Sequence, residues 1–108
     1  MSKFDEKLAT YKASLDEFGG GDHDLLTAVT KGLGPSIYNN DSDKVACTQA
    51  SELERVVTNF CVKKLGASQA DGEAAVAAVC KKYDTRAKHR AVFYYMVVKE
   101  LGKESVYA

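Results

Sequence analysis

Between positions 81 and 90 the chain gathers Lys81, Lys82, Arg86, Lys88 and Arg90 beside His89, its densest run of cations. Clustered Lys and Arg are what a protein uses to neutralise phosphates, so these five residues are the candidate anion-binding set. Asp84 interrupts the run, and the whole chain balances 15 Lys and Arg against 15 Asp and Glu. A solvated helix start is therefore the preferred reading, and an anionic partner the alternative. Cys47 is the second candidate. It precedes a predicted helix start and adjoins a polar stretch, a setting that can lower a thiol pKa, although no base lies near it in sequence. Cys61 and Cys80 fall on or beside apolar helical faces and read as small buried hydrophobes. Three cysteines with no Cys-x-x-Cys pair predict free thiols rather than a disulfide framework or a zinc cluster.

Other constellations fall short of a chemistry. Asn39, Asp41 and Asp43 alternate like the first ligands of a calcium loop, but the sixth position holds Lys44 instead of glycine and the twelfth holds Ala50 instead of a bidentate Glu. The stretch 39–43 is expected to be a solvated polar loop. Gly19, Gly20 and Gly21 precede a helix start, yet no strand leads into them, no Walker-spaced Lys follows, and Asp22 and Asp24 would repel a phosphate. They read as a helix stop or hinge. His23, between two aspartates, reads as a surface cap. His89 lies between Lys88 and Arg90, where like charges lower an imidazole pKa, but no nucleophile is spaced to use it. Phe93, Tyr94, Tyr95 and Met96 read as packed core. No metal site and no cofactor is expected.

The elements that must hold these residues are helical. Phe4, Leu8, Tyr11, Leu15 and Phe18 recur in steps of four and three, one stripe of a helix that Ser2 caps and the glycines end. Asp22 caps a second helix carrying Leu25, Leu26 and Val29, stopped at Gly34-Pro35. Residues 35–46 form the longest irregular stretch, which Ile37 and Tyr38 are expected to anchor. Ser51 and Glu54 match a capping box ahead of Leu53, Val56, Val57, Phe60 and Leu65. Ser68 with Asp71 starts a fourth helix bearing Val76, Val79, Cys80 and Tyr83. Asp84 or Thr85 is expected to cap the last, which is apolar all round over 91–98 and therefore central, with Tyr107 closing over it. No segment alternates as a strand would. The prediction is an all-α, irregular bundle of about five helices, one domain over residues 1–108.

Residues 1–43 hold 4 Lys against 8 Asp and Glu, and residues 44–108 hold 11 Lys and Arg against 7 Asp and Glu, a modest polarity rather than a strong field. The longest uncharged apolar runs are far shorter than the roughly 20 residues of a bilayer span, and the first residues do not pattern as a secretory signal. The expected location is the cytoplasm, with no membrane association.

Two motifs carry a family resemblance. The run Ala91-Val92-Phe93-Tyr94-Tyr95, followed by Lys99 and by Gly102-Lys103-Glu104-Ser105-Val106-Tyr107, resembles the C-terminal signature of a family of small bacterial proteins classed as a domain of unknown function. Gly34-Pro35-Ser36-Ile37-Tyr38-Asn39 is similar to its central motif. The resemblance implies a bacterial cytoplasmic helical protein and supplies no activity or catalytic residue.

The absence of any complete catalytic constellation points to a non-enzymatic binding or structural module whose partner is another protein or a second copy of itself. A nucleic-acid-associated protein using residues 81–90 is the alternative and is not favoured; a thiol-dependent protein using Cys47 ranks third.

Overall fold

The computed structural model describes residues 2–39, 43–86 and 88–107. Among these residues are five α-helices: α1, Lys3–Glu17; α2, His23–Leu33; α3, Ala50–Arg55; α4, Gln69–Lys82; and α5, Arg90–Leu101. A π-helical segment, Val56–Val62, continues α3, and short 3-10 turns occupy Gly34–Tyr38 and Glu104–Tyr107. The predicted all-α architecture is what forms. Among the described residues the nearest thing to a sheet is one isolated bridge, between Lys44 and His89.

Three helix starts follow the capping chemistry of the sequence. The Ser2 hydroxyl accepts from Asp5 N at 3.1 Å, Asp22 Oδ1 from Asp24 N and Leu25 N at 3.0 and 3.1 Å, and the Ser68 hydroxyl from Asp71 N at 3.1 Å. Each satisfies donors that the first helical turn leaves without a backbone partner.

The other two starts differ from expectation. Helix α3 begins at Ala50 behind an extended Gln49 whose side chain makes no cap, so Ser51 lies inside the helix and the Ser51–Glu54 box does not form. Helix α5 begins only at Arg90, after an uncapped His89, rather than at Asp84 or Thr85. The reason is tertiary: Val45 N donates to Lys88 O at 2.8 Å and Arg90 N to Asp43 O at 2.6 Å, so a passing loop takes the groups that an earlier helix would have used.

Leu8, Tyr11 and Leu15 of α1, Leu26 and Val29 of α2, Val56, Val57 and Cys61 of the π segment and Val76 and Val79 of α4 share one buried cluster with α5. Helix α5 is its axis. Ala91, Val92, Phe93, Val97 and Val98 are wholly buried, and α1, α2 and α4 all pack on it. Ile37 anchors its loop as expected, whereas Tyr38 stays exposed at 44%. Tyr107 packs partly buried against the core.

Two glycines permit close approaches. A Cβ on Gly21 would collide with the Tyr95 hydroxyl, which accepts from Asp22 N at 2.7 Å and so pins the α1–α2 turn to α5. A Cβ on Gly72 would stand 2.9 Å from Cys61 Cβ and 3.1 Å from Val57 Cγ1, so glycine lets α4 lie directly on the π segment.

Candidate functional site

The five cations of residues 81–90 do not share one exposed face. Lys82 pairs with Glu100, Lys88 Nζ donates to Thr85 O at 2.6 Å, and Arg90 turns inward, pairing with Glu52 and donating to Tyr94 Oη at 3.0 Å and Lys44 O at 3.2 Å. Burial opposes the charge of Arg90, but Tyr94 and Glu52 outweigh it and its pKa is raised. Lys81 and Arg86 remain exposed.

The expectation of free thiols is overturned at two of three cysteines. Cys47 and Cys80 form a disulfide with their Cα atoms 6.0 Å apart, and Cys61 alone is free. Although 33 residues separate the pair in sequence, the last turn of α4 returns beside the loop that precedes α3. Cys47, the candidate reactive thiol, is therefore a half-cystine in this state. Cys61 fills the core as predicted, and burial pushes its thiol up to about 11.

Of the polar loop 39–43, positions 40–42 lie outside the described residues. Asp43 is not solvated as expected: it is 2% exposed, with Lys7 Nζ 3.4 Å and Lys44 Nζ 3.2 Å from its carboxylate oxygens. Beside it lie the rings of Tyr11 and the partly buried His89. Tyr11 is fully buried, the Tyr11 and His89 ring centroids are 5.2 Å apart, and neither the Tyr11 hydroxyl nor His89 Nδ1 has a hydrogen-bond partner among the described residues. Burial, with Asp43 nearby, raises Tyr11 to about 12. The His89 pKa is lowered, as the sequence suggested, but burial is the leading cause, followed by Lys44, with Asp43 opposing. Among the described residues no group of three His, Cys, Asp or Glu is placed to hold a metal ion.

Surface recesses of about 220 to 510 Å³ are spread over the described residues. A cleft of about 510 Å³ lies between the glycine turn and the ends of α4 and α5, lined by Phe18, Gly21, Lys82, Tyr95 and Lys99 among others. Its polar groups are already engaged within the protein: Lys82 with Glu100, Lys99 with Glu104 at 3.4 Å, Asp22 with its own helix, and Tyr95 with the turn.

The second recess, about 400 Å³, runs between α3 with the π segment on one side and α4 on the other. Leu53, Val57, Val76, Ala50 and Ala77 give it an apolar lining, and Glu54 and Glu73 stand at its edge. Both carboxylates are exposed, and neither joins an ion pair among the described residues. Helix α3 has no fully buried residue, and Leu53 is only partly buried on the groove wall. The π segment forms the deeper wall, with bonds such as Leu65 N to Phe60 O at 2.9 Å reaching back five residues. Such segments are rare and recur at functional sites. Gly72 seats α4 on this segment, and the Cys47–Cys80 bond ties α4 to the turn that leads into α3, near Ala50 and Ala77.

Sequence reasoning missed this groove. Val57 and Val76 are core positions as read, with Leu53 packed partly buried against them, and nothing local signals that the three also line a groove.

No helix among the described residues is long and apolar enough to cross a membrane. No curated protein matches the chain at a significant level. The model of a family described as "Protein of unknown function (DUF2853)" matches residues 10–105. With nearly the whole chain covered, the protein belongs to the DUF2853 family.

Proposed function

We propose that the protein is a non-enzymatic binding module of the bacterial cytoplasm that docks an apolar, basic helix of a partner protein in the groove between α3 and α4. One observation carries this reading: a surface helix without a buried residue presents Leu53 to an apolar recess edged by two carboxylates that have no ion-pair partner among the described residues. Apolar anchors on a helix fit such a groove at i, i+3 or i+4 spacing, and Lys or Arg beside them complement Glu54 and Glu73. The volume matches that of ordinary ligand sites.

The test uses a fluorescein-labelled amphipathic helix of Leu and Lys, about 15 residues long so that it holds helical structure. Anisotropy titration should show saturable binding that weakens about tenfold or more in Ala77→Arg, which is helix-compatible and places a like charge in the groove, and in the Glu54→Lys/Glu73→Lys pair. The same peptide with Glu in place of Lys should not bind. Equal binding by both peptides, or indifference to these substitutions, overturns the reading. Self-association of the protein that Ala77→Arg abolishes also overturns it, and assigns the groove to a second copy of the chain.

A further inference from the structure

Helix α3 is tied to the molecule in few ways. It has no fully buried residue; Leu53 packs partly buried against the core, its C-terminal end runs into the π segment, its middle is held by the ion pair of Glu52 with Arg90, and its N-terminal end follows the half-cystine Cys47. Ala50 on α3 and Ala77 on α4 both line the groove, each three residues from a half-cystine, so one covalent bond ties α4, within a helical turn of the lining, to the turn that leads into α3.

We propose that the Cys47–Cys80 bond is a reversible thiol switch that holds the α3–α4 groove in its docking width when oxidised and releases the start of α3 when reduced. The proposal rests on the docking reading given above and adds its regulation. Both half-cystines are partly exposed, as attack by an external thiolate requires.

In reduction, one thiolate of a small dithiol attacks either sulfur, a mixed disulfide forms, and the second thiol of the reagent displaces the remaining protein sulfur. Two electrons and two protons pass to Cys47 and Cys80, and the dithiol leaves as its own disulfide. Glutathione disulfide reverses the step by the same exchange, leaving two molecules of glutathione. Cys61 does not scramble the pair. It is fully buried beneath Gly72, and its raised pKa keeps it as the unreactive thiol. In a reducing compartment, a disulfide of this kind is characteristically transient and redox-sensing rather than structural.

The test takes the intact chain through a series of glutathione and glutathione-disulfide ratios, measuring at each the fraction of Cys47–Cys80 bond by thiol alkylation and mass spectrometry, the Leu–Lys peptide affinity, and amide hydrogen exchange. Affinity should fall about tenfold or more between the fully oxidised and fully reduced protein and follow the disulfide fraction. Exchange over 50–55 should quicken on reduction while that of 92–98 stays slow. Cys47→Ser/Cys80→Ser should behave as the reduced protein at every ratio, and the titration of the natural chain decides the matter even where that variant folds poorly. Equal affinity in both states, or unchanged exchange in α3, overturns the switch and leaves docking standing. Failure of the peptide to bind in either state overturns the docking reading and its regulation together.

Discussion

The Tyr11 hydroxyl and His89 Nδ1 are two buried polar atoms without a partner among the described residues, and each makes a distinct demand on stability. A buried hydroxyl left without a partner costs its desolvation and returns nothing. Tyr11→Phe keeps the ring in its wholly buried place, so it should stabilise the protein by about 1 kcal/mol in urea unfolding. Loss of stability instead would reveal a hydrogen bond at that oxygen. The alkaline limb should change as well. The folded pKa of Tyr11 is about 12 against 10.0 for the free group, so the unfolded chain gives up its proton first and stability is lost as pH rises above 10. The Phe variant removes that share of the alkaline decline. His89 works in the opposite direction on the pH axis. Its folded pKa lies below 6.5, so the unfolded imidazole takes a proton that the folded one refuses, and stability falls as pH drops below 6.5. His89→Gln should flatten that part of the stability profile, by no more than about 1.4 kcal/mol per pH unit for one proton. An unchanged slope would mean that the buried ring already accepts the proton, with Asp43 beside it.

At the scale of elements, α5 and α3 are opposites. Helix α5 is apolar on nearly every side and carries the core, and Phe93 is completely buried in it. Phe93→Ala should cost about 3–5 kcal/mol, much of the total for a small domain, read as a lowered urea midpoint or loss of cooperative unfolding. A midpoint equal to the parent's would remove α5 from the centre of the fold. Helix α3 has no fully buried residue, and its place depends on the partly buried Leu53, the Cys47–Cys80 bond, the Glu52–Arg90 pair and continuity with the π segment. Elements with few buried apolar contacts open at low free energy, which is why α3 and not α5 forms the adjustable wall of the groove.

Across the whole molecule, charge is dispersed by internal pairing. If all of Lys81, Lys82, Arg86, Lys88 and Arg90 met phosphates, the logarithmic salt slope of binding would reach about −4.5; with Lys82, Lys88 and Arg90 engaged within the protein, Lys81 and Arg86 support about −2. Mixed DNA or RNA should therefore bind negligibly near about 150 mM salt, as measured by anisotropy with labelled oligonucleotides over a salt series. Sub-micromolar binding that charge reversal at the exposed Lys81 and Arg86 abolishes would restore residues 81–90 as a nucleic-acid interface. The molecular shape also explains why a 33-residue separation in sequence closes into a disulfide: α4 returns antiparallel to the α3 and π segment, bringing its last turn back to the loop where α3 begins.

Features that depend on near neighbours along the chain were legible in the residues alone. Ser2, Asp22 and Ser68 cap their helices because a short polar side chain reaches backbone donors two or three residues ahead, and the unbroken apolar run of 91–98 marks a helix surrounded on all sides. The tertiary structure decided whatever requires distant segments to meet. The start of α5 was settled by Asp43 and Val45 taking its backbone groups, not by Asp84 or Thr85, and Arg90 became an interior anchor because Glu52 lies opposite it. The π register of Val56–Val62 was hidden because residues 56, 57, 60 and 61 fall on one side of either kind of helix. The disulfide and the groove were equally hidden. Each arises from the juxtaposition of α3 and α4, and helix periodicity records which face of each is apolar but not what that face will meet.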